Sequence, residues 1–217
     1  LTKYPYLLVS DFDGTITEND FYQLALERVD RNGMPDYWSL YASGRITHFE
    51  AMRGIFSHIR CDEATIRSVV KSLRPDSRLK DAVARLRRSG WDVMIVSAGS
   101  SWYIAQVLEA AGVSVPVHAS PGHFSPSAGL HIELPFDSPF CSPELGIDKK
   151  AAVLAGQSTY ERVAFAGNGP PDLEAVLSVP PELRFARDWL ADELSRRKET
   201  FCRFSRWSEI ADRLTAI

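Results

Sequence analysis

Cysteine is scarce and scattered: Cys61, Cys141 and Cys202 are the only three in 217 residues, and no two have CxxC spacing. Such usage excludes a disulfide framework and a zinc knuckle, and it leads us to expect a reducing, cytoplasmic setting. The five histidines show no HxxxH spacing, so a histidine-based metal site is not expected. Neither sign of charge is in excess: 25 Lys and Arg stand against 28 Asp and Glu, for a net charge of −3. That balance gives no electrostatic case for a nucleic-acid partner or an anionic membrane. No apolar run approaches the roughly 20 residues that span a bilayer. The opening LTKYPYLLVSDFD, which starts on Leu rather than Met, reaches acids too early for a secretory leader.

With 45% apolar and 24% charged residues, the chain has an ordinary globular composition. Its length suits one α/β domain with a modest insertion and a core that needs no disulfide. Residues 6–10 (YLLVS), 91–97 (WDVMIVS) and 162–166 (RVAFA) read as buried parallel strands, and 183–186 (LRFA) as a weaker fourth. Helical patterns over 77–88, 101–111, 150–155 and 172–177 alternate with them. This alternation predicts a doubly wound, Rossmann-like parallel sheet. Residues 16–75 break it with four helical patterns in a row, 21–29, 37–42, 48–59 and 63–73. Thr47 and Glu50 form a capping-box signature before the third. We therefore expect an α/β core of 1–15 and 76–217 carrying a small helical cap at 16–75. Between 115 and 145, a hairpin of 115–119 against 130–134 is expected around the turn at 127–129, followed by a loop.

Four features carry chemistry. The first is Asp11-Phe12-Asp13-Gly14-Thr15, with two acids at the carboxyl end of a buried strand, where open α/β sheets bind ligands. Carboxylates so placed repel unless a cation or a shared proton compensates, and a hard ion such as Mg²⁺ accepts that oxygen-rich setting. One acid is then placed to act as nucleophile and the other as acid/base. A calcium loop would need Gly at the sixth position and Glu at the twelfth; Gly14 is fourth and Tyr22 twelfth. The second feature is Ser97-Ala98-Gly99, whose hydroxyl and amides suit phosphate oxygens at a helix start. The third is Asp148-Lys149-Lys150, which places positive charge in a first helical turn, against the helix dipole. The fourth is Gly167-Asn168-Gly169-Pro170-Pro171-Asp172, whose Asn168 and Asp172 supply oxygens to complete a cation site. Each alone is an ordinary strand–helix turn; all four fall where one sheet edge can collect them.

In this order the four features resemble the haloacid dehalogenase superfamily of phosphotransferases, over essentially the whole chain. Residues 11–15 match its DxDGT motif, Ser97 its second motif, Lys150 its third (with Lys149 as a one-residue alternative), and 167–172 imperfectly its fourth, GDxxxD. The insertion resembles the small cap of the phosphoserine phosphatase branch. Within that branch, 11–20 (DFDGTITEND), 44–56 (GRITHFEAMRGIF) and 185–190 (FARDWL) are similar to phosphatases acting on 2-hydroxy-3-keto-5-methylthiopentenyl-1-phosphate in methionine salvage. The resemblance implies a Mg²⁺-dependent hydrolase of a small phosphorylated metabolite, a monomer or homodimer. It implies Asp11 as nucleophile, Asp13 as acid/base, and Ser97 and Lys150 on the phosphate. Asp20, Ala98, Gly99 and Lys149 would line the substrate. The metal would lie on Asp11, the Asp13 backbone, Asn168 and Asp172. Phe49 and Met52 are the candidates for an apolar recess. Two departures keep rival readings open. Asn168 stands where the family has Asp, which implies weaker metal binding or a phosphometabolite-binding protein that has lost its chemistry. Arg53 does not match the carboxylate-binding arginine of phosphoserine phosphatases, although hydrolysis of phosphoserine or phosphocholine remains an alternative.

Overall fold

The computed structural model describes residues 4–216. Strand β1 (Tyr6–Ser10) enters first and is buried from Leu7 onward. The chain then leaves the sheet for four helices, α1 (Phe21–Leu26), α2 (Tyr37–Ala42), α3 (His48–Ser57) and α4 (Glu63–Ser72). It returns through α5 (Leu79–Arg88), β2 (Trp91–Ser100), α6 (Ser101–Ala110) and β3 (Val117–Ser120). An excursion follows, with hairpin β4 (Gly122–Ser125) and β5 (Gly129–Ile132), and a two-residue ladder of β6 (Cys141–Ser142) and β7 (Gly146–Ile147). The last third is α7 (Lys149–Gln157), β8 (Arg162–Gly167), α8 (Leu173–Leu177), β9 (Arg184–Ala186), α9 (Asp188–Arg196), β10 (Cys202–Arg203) and α10 (Ser208–Leu214).

Six strands form one parallel sheet in the order β10-β9-β8-β1-β2-β3. From β1 the chain winds first toward β3 and later, through β8, toward β10. The reversal falls beside β1, and ligands bind at the carboxyl ends of strands at such a point. The expected α/β architecture is therefore present. The core is continuous across the sheet, with Leu8, Val9, Phe165, Phe185 and Trp207 fully or almost fully buried. Among the described residues, no helix is long and apolar enough to cross a membrane.

The helical segment departs and returns along neighbouring paths. Glu18 and Asn19 donate backbone bonds to Arg74 and Leu73, and Asp76 donates to Ile16. The Thr47–Glu50 capping box forms as the sequence predicts, each partner accepting from the other's backbone. Two expectations are corrected. Residues 117–120 join the main sheet as its edge strand, and the hairpin pairs 122–125 with 129–132 instead. This hairpin supports the helices: a Cβ on Gly129 would lie 2.6 Å from the Ser57 carbonyl oxygen, so α3 ends directly on it. The second correction concerns β2, which continues past Ser97 to Ser100, with a register break between Val96 and Ser100.

Candidate active site

Asp11 follows β1 directly and is almost fully buried. Its Oδ1 accepts from Lys149 Nζ at 2.6 Å and its Oδ2 from Thr15 Oγ1 at 3.0 Å, so both oxygens are fixed. Burial pushes the Asp11 carboxyl up to about 6, with Lys149 opposing the rise. Gly14 has φ +67°, and a Cβ there would come within 2.2 Å of the Asn168 amide nitrogen. Only glycine permits both the turn and this approach.

The structure separates the two candidate lysines. Asp148 caps α7, so the helix begins at Lys149 rather than Lys150. Successive helical residues are about 100° apart around the axis, and the two lysines diverge. Lys149 is buried and bridges Asp11 and Asp172, at 2.6 Å from each. Burial opposes its charge, but the two carboxylates outweigh this and raise its pKa. Lys150 turns outward to Glu174 at 3.2 Å, an exposed pair.

Asp172 does not offer a free oxygen. Its Oδ1 holds Lys149, and its Oδ2 accepts from the Asn168 and Gly169 amides, each at 2.9 Å. It fixes the 167–172 loop and the lysine. Asn168 Oδ1 lies 3.2 Å from Thr15 Oγ1, the same hydroxyl that holds Asp11. Among the described residues, no group of three or more His, Cys, Asp or Glu side chains is arranged to hold a metal ion. The oxygens gathered near Thr15 are nevertheless all hard donors: the Asp11 carboxylate, the Asn168 carbonyl and the backbone that follows Asp11. They fit Mg²⁺ in kind, with one negative charge fewer than a second carboxylate would give.

Asp13 is held differently. Its Oδ1 accepts from the Phe21 amide at 3.2 Å and its Oδ2 from the Tyr103 hydroxyl at 2.5 Å. Burial, then the neighbouring Asp20, raise its pKa well above the usual carboxylate range, which favours a protonated acid. Tyr103 is fully buried and stacks on Phe21 with ring centroids 4.0 Å apart. The Tyr103–Asp13 pair also excludes any side chain at Gly99, where a Cβ would lie 1.8 Å from the Tyr103 hydroxyl. Ser97 is buried and accepts from the Gly99 amide at 3.0 Å. Asp20 does two things at once. It caps α1 by accepting from the Tyr22 amide at 3.0 Å, and it faces the recess, where burial pushes its carboxyl up to about 7.

All the expected site residues, Asp11, Asp13, Asp20, Ser97, Ala98, Gly99, Lys149, Lys150, Asn168 and Asp172, border one recess of about 880 Å³. Helices α1 to α3 close it with Tyr22, Trp38, Tyr41, His48, Met52 and Phe56. Met52 therefore lines the recess as expected, whereas Phe49 packs near Gly146, and Arg53 lies over the Phe49 ring. Sequence reasoning missed Tyr103 and His48. Tyr103 signals itself only as a phenol on an otherwise apolar helix face. His48 shares a face with Met52 and Phe56 at i+4 and i+8.

A model of haloacid dehalogenase-like hydrolases matches residues 8–176, from β1 through most of α8. The chain belongs to this family. A curated relative, the bifunctional enzyme MtnB/MtnX of Bacillus licheniformis, is 23% identical over 194 residues and 86% of this chain. The chain spans 44% of that relative's length. Among solved structures, the phosphoserine phosphatase of T. onnurineus matches with TM-score 0.66 at 14% identity, covering 100% of this chain and 98% of its own. A phospho-aspartyl intermediate analogue of phosphoserine phosphatase matches with TM-score 0.62 at 15% identity, covering 92% and 93%. At these identities the structural likeness speaks for the fold.

Proposed function

We propose that this family member hydrolyses a small phosphomonoester through an aspartyl-phosphate on Asp11. One observation carries the reading. At the carboxyl end of the central strand, an Asp11 carboxylate fixed by Lys149 stands two residues from an Asp13 that burial keeps protonated. That division of states suits a nucleophile and a general acid. An Asp11 oxygen forms a bond to phosphorus as the bond to the leaving oxygen breaks, and the Asp13 proton passes to the departing alkoxide. Asp13, now a carboxylate, takes a proton from water as that water bonds to phosphorus and the bond from phosphorus to the Asp11 oxygen breaks. Inorganic phosphate leaves and Asp11 is restored. Lys149, rather than Lys150, and Ser97 hold the phosphoryl oxygens. Asp11, the Asp13 backbone carbonyl and Asn168 would hold Mg²⁺, which would supply charge neutralisation for the phosphoryl group. Residues 16–75 act as a cap that excludes water from the recess. The three unpaired cysteines support a cytoplasmic setting.

For the substrate, we propose a metabolite of the 2-hydroxy-3-keto-5-methylthiopentenyl-1-phosphate type. The MtnB/MtnX relative and the Met52, Phe56 and Trp38 lining support this reading. Phosphate release across a panel containing this compound, phosphoserine and phosphocholine tests it, with Mg²⁺ and with chelator. Magnesium-dependent release that is concentrated on the thioether compound and lost in Asp11→Asn is expected. Release unaffected by Asp11→Asn removes the nucleophile assignment, and a preference for phosphoserine removes the substrate assignment.

A further inference from the structure

One buried polar side chain that borders the recess has no role in the chemistry above. His48 opens α3, is 7% exposed and borders the recess, yet its Nδ1 has no hydrogen-bond partner. A buried nitrogen left unpaired costs stability, so such atoms are rare and call for a ligand or water. The ring is fixed from two sides. Tyr41 meets it edge-on at 5.5 Å between centroids, and Trp38 lies 5.8 Å away. Burial, and after it the positive Lys149, favour the neutral ring. A neutral ring carries its one proton on either nitrogen, so the bare Nδ1 accepts from a hydroxyl or donates to it.

The rest of the lining narrows the ligand further. Among the described residues that border the recess, the only cationic side chains are Lys149 and Lys150, and both are engaged, by Asp11 and Asp172 and by Glu174. A substrate carboxylate would find no free cation here. An ammonium donor at His48 would meet the same Lys149 field that favours the neutral imidazole.

We infer that His48 Nδ1 is a specificity-determining hydrogen-bonding partner for a hydroxyl on the substrate, in a phosphomonoester whose organic part carries no carboxylate and ends in an apolar group. This rests on the phosphatase reading for the phosphate end of the ligand. The probes that test it are hexylphosphonate, its 2-hydroxy and 3-hydroxy derivatives, and 6-phosphonohexanoate, titrated calorimetrically into the protein with Mg²⁺ present. One hydroxylated probe should bind the wild type about 10-fold tighter than hexylphosphonate, the worth of about one neutral hydrogen bond. The carboxylate probe should bind more weakly than either. His48→Phe should erase the preference. His48→Asn, which keeps a hydrogen-bonding group near the Nδ1 position, should restore part of it and so separate a lost hydrogen bond from lost packing.

The inference is overturned by equal wild-type binding of the probes, by no binding, by tighter binding of the carboxylate, or by a preference that survives His48→Phe. Should His48→Phe not fold, the wild-type series and His48→Asn still decide. Phosphate release from the matching hydroxyhexyl phosphate is read separately: selective binding without release would sink the hydrolytic reading and leave the His48 assignment standing.

Discussion

Lys149→Met and Lys150→Met differ by one residue and should behave as if they came from different proteins. Lys149 Nζ sits 2.6 Å from carboxylates whose side chains are 7% and 1% exposed. Removing it leaves two buried acids without their shared cation, a loss of about 3–5 kcal/mol. At about 2–4 °C per kcal/mol for a chain of this size, the melting temperature should fall by roughly 6–20 °C. The penalty should depend on pH. An acid whose folded pKa is raised takes stability from the fold as pH climbs from its unfolded value through the folded one. Without Lys149, Asp11 loses the charge that opposes its rise to about 6, so the destabilisation at pH 8 should exceed that at pH 5. Lys150 pairs with Glu174 at 46% and 68% exposure, and its loss should cost at most about 0.5 kcal/mol. Thermal melts and urea unfolding at the two pH values, together with phosphate release, measure all of this. Comparable losses from both variants, or loss of turnover from Lys150→Met alone, would refute the assignment of Lys149.

Three further outcomes follow from the same geometry. Tyr103→Phe keeps the stack on Phe21 but removes the hydroxyl that holds Asp13, a bond worth about 1.5–3 kcal/mol to the carboxylate that forms as the Asp13 proton leaves. Turnover of an alkyl phosphate should drop roughly 10- to 100-fold and that of nitrophenyl phosphate far less, because its leaving group needs no proton; equal losses would remove Tyr103 as a positioning residue. Asn168→Asp restores a carboxylate beside Thr15 and Asp11. It should lower the melting temperature in chelator and tighten Mg²⁺ binding at least about tenfold by calorimetry, since each tenfold step needs only about 1.4 kcal/mol; unchanged affinity would show that position 168 does not face the ion. Asp20→Asn keeps the cap on α1 while deleting a carboxyl raised to about 7 by burial. The wild-type acid is destabilising above that pH and harmless near pH 4, so the variant should melt about 2–8 °C higher at pH 8 and no higher at pH 4.

Much of this was legible in the residues, and the parts that were not share a cause. The YLLVS and RVAFA runs are apolar on both faces, which only a central parallel strand requires, and both fall within a residue of their expected bounds. The four helices of the insertion start at their expected residues because Asp20, Asp36, Thr47 and Asp62 cap them. Local signals were enough there. The hairpin was misplaced because 117–120 takes its partner from β2, a pairing that no local pattern encodes. The choice between Lys149 and Lys150 stayed open because it depends on where Asp148 starts the helix and on Asp172, more than 20 residues later. Tyr103 acquires meaning only through Asp13, and His48 only through the recess it shares with Lys149, contacts of long sequence separation.

The claim on which the rest depends is the covalent intermediate on Asp11. Rapid mixing of the wild-type protein with a ³²P-labelled phosphomonoester and Mg²⁺, followed by acid quench and borohydride reduction, tests it directly. Label should be bound covalently and be labile to hydroxylamine, and reduction should convert residue 11 to homoserine. The label should be absent in Asp11→Asn and persist longer in Asp13→Asn. Turnover with no bound label, or reduction at another acid, would contradict the account.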